Sequence, residues 1–404
     1  MDTRPPLIVV GAGLAGWTAV REFRKHDRST PVIVVTADDG DFCAKPSLSN
    51  AFAQGKAPAQ LISTPAARMV ESLQVTLLQR TRVQRIDAAA QSVATSQGRF
   101  SYSQLVLATG AQPIRVPLAG DAANEVLSVN HLDDFAQLHA RLQRPSRVLV
   151  MGAGLIGCEF ANDLAIAGHE VTVVDPSPRA IAALLPAEAS HALHDALRPL
   201  GVRFVFGRSV QSLERHGSGL RARLSAAPAN AHHGEGFDAA DALVTADLVL
   251  SAVGLRADTT LAQTAGIVCD RGILVDAHLR TSRPAIFALG DNAQYASASA
   301  SAGAGAGGHT LPYVMPIMNA ARVLGPVLAG VASPPLRFPL MPVTIKTQAL
   351  PLVVAPAAPG TQGEWSQPEP GLWRFTDAAG AVRGFALAGA QTARRMEQAQ
   401  LISA

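Results

Sequence analysis

The chain has 404 residues, 48% of them hydrophobic and 16% charged, with a net charge of only +3. That balance describes a well-buried globular enzyme of two or three domains, excludes disordered and fibrous chains, and gives nucleic-acid binding no support. The three cysteines, Cys43, Cys158 and Cys269, lie far apart with no CxxC pair and no metal-ligand spacing. Neither a local redox dithiol nor a zinc or iron–sulfur centre is expected, so any electron chemistry must rest on an organic cofactor.

Asp2 follows Met1 and the first apolar run leads straight into a glycine loop, so a cytoplasmic protein without a secretory leader is expected. The best membrane candidate, 311–330, contains Pro312, Pro316, Asn319, Arg322 and Pro326 and is not a plausible span. A mildly basic balance would steer an acidic protein partner, although an ordinary solvated surface accounts for it as well.

In chain order, a strand is predicted at Leu7–Val10, then the loop Gly11-Ala-Gly13-Leu-Ala15-Gly16, a helix over 14–25 and a strand at Val32–Val35. A buried strand over 105–108 ends in a turn at Thr109-Gly110. The order then repeats: a strand over 148–151, the loop Gly152-Ala-Gly154-Leu-Ile156-Gly157, a helix through Ala167 and a strand over 171–174. Strands over 248–252 and 285–289 run into Val253-Gly254 and Gly290-Asp291. A low-complexity Ala/Ser/Gly stretch, 297–308, reads as a flexible loop. Strand-like pieces at 343–346, 352–354, 373–375 and 384–387 predict a small antiparallel C-terminal sheet.

In each loop the first glycine permits a tight turn, the second lets backbone amides approach a pyrophosphate, and the third lets helix pack on strand. The anion then faces the positive end of the helix. One match is weak, but two in strand–turn–helix context point to two dinucleotides held at once. Asp38 and Asp175 each stand about twenty residues further on, where a carboxylate grips an adenosine ribose. Asp38 has Asp39 and Asp41 beside it and reads also as part of a solvated acidic turn. Asp175 ends its strand and would repel a 2′-phosphate, favouring NAD over NADP. Arg179 could soften that preference or simply lie on the surface.

These pieces, with Lys45-Pro46-Ser47-Leu48-Ser49, Ile114-Arg-Val-Pro117, Gly157-Cys-Glu-Phe-Ala-Asn-Asp163, Ala288-Leu-Gly-Asp291 and Pro342-Val-Thr-Ile-Lys346, carry a resemblance over nearly the whole chain. The sequence resembles the FAD-dependent pyridine-nucleotide oxidoreductases that reduce small electron-transfer proteins, and within them the bacterial rubredoxin–NAD reductases. The resemblance implies an α/β chain with two Rossmann-like dinucleotide-binding domains, glutathione-reductase-like, and a small C-terminal α+β domain. An FAD-binding domain would comprise 1–115 and 246–325, an NAD-binding domain 116–245, and the C-terminal domain 326–404.

The resemblance places FAD on Gly11, Gly13, Ala15 and Gly16 and NAD on Gly152, Gly154, Ile156 and Gly157. Asp38, Pro46, Thr109, Gly110, Asp175, Val253 and Gly254 would join these cofactor sites, and Asp291 would hold the flavin ribityl chain. Lys45 would stand beside the flavin as a cation that stabilises charge when a hydride arrives, with Glu159 as its ion-pair partner. Lys346 would reach the flavin from the C-terminal domain, or lie as a charge on an edge strand.

In the peroxidase and oxidase branch a single redox cysteine follows the ribose acid, but Leu48 stands at that place here. Cys43 and Cys158 read as packing residues. NADH gives two electrons at once and an iron centre takes one, and a flavin can serve both. The implied activity is NADH-dependent reduction of rubredoxin or another small acidic electron-transfer protein, in alkane hydroxylation or in oxygen or nitric-oxide detoxification. A reductase of a [2Fe–2S] ferredoxin for an oxygenase stays open, as do a slow NADH-binding flavoprotein redox sensor and the oligomeric state.

Overall fold

The computed structural model describes residues 5–226, 242–296 and 308–402. The stretch 227–236, which no motif accounts for, and the loop expected over 297–308, Gly308 apart, lie outside them. The chain forms two compact units, one of Met1–Lys45, Ala59–Gln112 and Leu255–Pro339 and one of Pro46–Pro58, Pro113–Gly254 and Leu340–Ala404. Among the described residues no helix is long and apolar enough to cross a membrane.

The first unit is built on a five-stranded parallel sheet in the order Ile286–Ala288, Gln104–Leu107, Leu7–Val10, Val32–Val35, Thr76–Leu78. Its central strands read LIVV and VIVV because helices or other chain segments cover both faces, which leaves no place for alternating polar residues. The helix Leu14–Arg24 buries Trp17, Ala19, Val20 and Phe23. It packs against the helix Val314–Leu328, where a β-carbon on Gly325 would stand 2.6 Å from the Glu22 carbonyl carbon. Only glycine allows that approach. Tyr295, at the end of the strand Ala293–Tyr295, exchanges backbone hydrogen bonds of 3.0 Å with His309. Tyr295 and His309 are thus joined by one isolated antiparallel bridge.

The second unit has a four-stranded parallel sheet, Val202–Phe206, Glu170–Asp175, Arg147–Met151, Leu248–Ser251. An antiparallel layer of Val210–His216, Gly219–Leu224 and Leu243–Ala246 accompanies it. The C-terminal sheet is antiparallel, in the order Val343–Ile345, Leu352–Ala355, Val382–Ala388, Leu372–Asp377, Gly363–Glu369. Ile345, Leu352, Val354 and Trp373 share one apolar core with Val148, Phe160 and Leu164 of the nucleotide-type sheet and helix, which is why these parts form one compact body.

The predicted α/β architecture with two glycine-loop sheets and an antiparallel C-terminal sheet is the one observed. Gly363–Glu369 is an added strand. Its sequence, GEWSQPE, is exposed at nearly every position and carries Pro368, so it shows no buried face to read.

Candidate functional site

At the first glycine loop, Gly11 has φ +110° and a β-carbon there would sit 2.2 Å from the Ala108 carbonyl oxygen. A β-carbon on Gly16 would lie 1.9 Å from Gly11 O, whereas among the described residues nothing stands within 4 Å of one on Gly13. The helix that follows has no side-chain N-cap and no acid in its first turn. Its first N–H groups and the open face over Gly13 fit an anionic group approaching the backbone. Ala15 is buried, and a β-carbon on Gly290 would come within 2.8 Å of its side chain.

Asp38 lies beyond the end of its strand and accepts from the Thr36 hydroxyl at 2.5 Å and the Gly40 amide at 2.9 Å. The Trp17 indole closes the same turn onto the Gly40 carbonyl at 3.0 Å. Asp39 pairs with Arg80 at the exposed edge.

Across the same sheet, the Lys45 ammonium stands 3.6 Å from Asp291 and 3.8 Å from where a β-carbon on Gly110 would be. The Gly290 amide donates to the Tyr295 hydroxyl at 2.9 Å and so fixes the turn that carries Asp291. Burial pushes that tyrosine hydroxyl upward, keeping it protonated. Asn292, fully buried, donates to Leu107 O at 3.0 Å and to the Thr109 hydroxyl at 3.2 Å, leaving its Oδ1 without a hydrogen-bond partner among the described residues. Thr109 in turn donates to Asp258 O at 3.0 Å. Lys45, Thr109, Gly110 and Asp291 are thus gathered at the C-terminal ends of the strands, where ligands of open parallel sheets bind. The residues fit an FAD site.

The second loop repeats the geometry. Gly152 has φ +104° with Ala252 O 2.7 Å from its would-be β-carbon, Gly157 would place one 2.0 Å from Gly152 O, and Gly154 is open. Again the helix, Leu155–Ile166, has neither side-chain cap nor acid in its first turn, and Ile156 is exposed there. Asp175 ends its strand with one oxygen on the Ala153 amide and the other on the Ser177 amide, both at 2.6 Å. Arg179 is half-buried and turned onto the carbonyls of Ala182 and Leu185 at 3.4 Å, with its buried Nε unpartnered among the described residues, rather than lying as a surface arginine. Gly254 takes φ +119° next to Val253. These residues fit a dinucleotide with an unmodified ribose.

On the helix Leu155–Ile166 a polar stripe runs through Glu159, Asn162 and Asp163, spacings that share one helical face. Glu159 is 0% exposed. It accepts from the Lys346 ammonium at 2.6 Å, the Lys346 amide at 2.9 Å and the Ser49 hydroxyl at 2.6 Å. Lys346 also donates to Pro46 O at 2.7 Å and reaches Ser49 Oγ at 3.2 Å. The ion-pair partner of Glu159 is therefore Lys346, which corrects the expected pairing with Lys45: the C-terminal strand delivers its lysine onto the helix. It equally overturns the reading of Lys346 as a plain edge-strand charge.

Asn162 accepts from the Ala349 amide at 3.0 Å, and Asp163 accepts from the amides of Ala53 at 2.8 Å and Phe52 at 3.1 Å. Burial pushes the Asp163 carboxyl up to about 6 against the pull of these amides. Ser49, Asn162 and Asp163 were not singled out from sequence; for Asn162 and Asp163 the available signal was their helical spacing from Glu159 in an otherwise apolar helix, and Ser49 carried none. Cys158 lies buried on the same helix, its Sγ 3.4 Å from Ala153 O and its thiol pushed up by burial, as a packing residue.

A model of the pyridine nucleotide-disulphide oxidoreductase family matches residues 5–307, and the chain belongs to that family. Residues 335–401 match a rubredoxin binding C-terminal domain. Among relatives, the rubredoxin-NAD(+) reductase of Alcanivorax borkumensis is 40% identical, with 97% of each chain covered. That of Acinetobacter baylyi is 36% identical over 96% of this chain and 95% of its own. The nitric oxide reductase FlRd-NAD(+) reductase of Aeromonas salmonicida is 37% identical over 89% and 86%. Among solved structures, the covalent putidaredoxin reductase–putidaredoxin complex superposes with a TM-score of 0.84 at 22% identity, covering 100% of this chain and 94% of that one, which supports the fold.

Proposed function

We propose that the protein is an NADH-dependent flavoprotein reductase that passes electrons from NADH through FAD to rubredoxin. The observation that carries this is the union in one chain of two glycine loops with open second glycines and a C-terminal region matching a rubredoxin binding domain. The relatives named as rubredoxin-NAD(+) reductases over nearly full length support the same acceptor. When bound, FAD supplies the conversion between a two-electron hydride donor and a one-electron acceptor.

The first loop, with Gly11, Gly13, Ala15 and Gly16, is proposed to cradle the FAD pyrophosphate, Asp38 the ribose and Asp291 the ribityl chain. Thr109 and Gly110 shape the backbone beside them. Lys45, kept in place by Asp291, supplies positive charge where negative charge develops. The second loop and Asp175 take NADH, with Ile156, Val253 and Gly254 lining its path. Glu159 is proposed to orient the reacting segment by holding Lys346, Ser49 and, through the lysine, Pro46.

The proposed FAD-binding domain is 1–115 with 246–325, the NAD-binding domain 116–245 and the partner-binding domain 326–404. A cytoplasmic location is proposed with this activity, since NADH is regenerated there. The test is anaerobic NADH titration of the purified yellow protein, followed by addition of rubredoxin. Bleaching of the flavin and stoichiometric rubredoxin reduction are expected. A colourless folded protein, or preference for a [2Fe–2S] ferredoxin over rubredoxin, would overturn the assignment.

A further inference from the structure

The polar stripe on Leu155–Ile166 does more than hold the Glu159 pair. Asp163 is 0% exposed and sits one helical turn after Glu159. Its two carboxylate oxygens accept from two successive backbone amides, Phe52 and Ala53. Those amides belong to Pro46–Pro58, the stretch that continues directly from Lys45 and carries Pro46 and Ser49 to Lys346 and Glu159. Beyond Ser49, the stretch is anchored by its Phe52 ring, packed at 5.3 Å from Phe135, 5.7 Å from His139 and 6.1 Å from His169. A charged acceptor in a dry setting is an expensive way to hold two amides that could have faced water. Its retention is explained if the placement of the stretch matters.

We propose that Asp163 is a positioning residue for hydride uptake, gripping the Phe52 and Ala53 amides so that Ser49 and Pro46 are presented to the Glu159–Lys346 pair. This rests on the reductase reading. An ionised carboxylate accepts fully at both oxygens, whereas protonation turns one into a hydroxyl and weakens its hold on one amide. The charged and titratable groups around it are Glu159 on the same helix, Lys346 from the C-terminal strand, and His139 and His169 at the Phe52 ring. Burial pushes the carboxyl up to about 6, so the grip changes within the working range of the protein.

The test is hydrogen–deuterium exchange of the FAD-loaded protein with and without Asp163→Asn, beside stopped-flow flavin reduction by NADH across pH. The variant keeps one acceptor oxygen and turns an NH2 toward the other amide. Protection of 46–58 should fall about tenfold or more, the equilibrium weight of one hydrogen bond to a charged acceptor. In the wild type the reduction rate should drop in one proton step as pH falls through about 6. The variant should lack that step and reduce its flavin at a low, pH-flat rate.

Unchanged protection of 46–58, or a variant whose reduction follows the wild-type pH profile, would overturn the proposal. If the variant does not fold, the wild-type titration alone decides, because a reduction rate with no such step refutes the grip. Exchange is read without NADH or acceptor, so a failure of the reductase reading would appear in the rubredoxin assay and not here.

Discussion

Replacing Glu159 by Gln tests the pair that ties the C-terminal strand to the nucleotide-loop helix. The substitution keeps an acceptor for the Lys346 amide but turns an NH2 group toward the Lys346 ammonium and the Ser49 hydroxyl. The hydroxyl can rotate and accept, and the ammonium cannot. Lys346 is 31% exposed and keeps Pro46 O at 2.7 Å, so its charge is not left dry. The cost should therefore be about 1.5–3 kcal/mol, that of a lost hydrogen bond to a charged group.

Lys346→Met is the harsher change, because it strands a carboxylate with no exposure at all, at about 3–5 kcal/mol. The double variant removes both charges and should recover at least about 1.5 kcal/mol relative to the sum of the single effects. Urea unfolding in a Trp17→Phe background reads this cleanly, since the remaining tryptophans, Trp365 and Trp373, both lie in the C-terminal sheet. Additivity within about 0.5 kcal/mol, or a milder effect of Lys346→Met than of Glu159→Gln, would refute the buried-pair reasoning.

Gly13→Ala should fold normally and lose flavin, measured as the flavin-to-protein absorbance ratio, because a β-carbon there meets nothing within 4 Å among the described residues. Gly16→Ala should fail to give folded protein at all, a β-carbon there lying 1.9 Å from Gly11 O. Asp175→Ser should raise the KM for NADH by about ten- to a hundredfold and narrow the gap to NADPH in steady-state assays, through loss of charge-assisted bonds to a ribose. Burial raises the Asp163 carboxyl from 3.8 to about 6, so the folded form holds a proton that the unfolded form has lost. Its contribution to stability is full below about pH 4 and is lost as pH rises through 6; thermal melts of Asp163→Asn should be flatter over that window. Cys158 should resist maleimide in the native protein at neutral pH and label on unfolding, its thiol being buried and pushed up.

Both glycine loops, their flanking strands and the C-terminal sheet were legible because their signals are local: a φ only glycine adopts, a short apolar run, a turn. Leu7–Val10 and Val32–Val35 agree to the residue. What sequence could not supply was pairing between distant segments. Lys45 and Lys346 look alike as lysines near narrow motifs, and only the fold places the second against Glu159 and the first against Asp291. Asn162 and Asp163 end the motif that begins at Gly157, but their partners are backbone amides at Ala349, Phe52 and Ala53, which carry no side-chain signature. The half-buried setting of Arg179 was likewise illegible, because the carbonyls that receive it belong to a loop whose shape no residue type announces.

The Tyr295–His309 bridge has a consequence for how this chain can be altered. Its two ends meet in register, and Gly308 is required there because a β-carbon would fall 2.4 Å from Tyr295 O. Whatever length of chain is spliced between them, the neighbouring strand and the Gly290 turn receive the same anchor, and closing a longer excursion costs only a logarithmic increment. That junction is the natural port for grafting a tag, a reporter or a tether to an electron carrier.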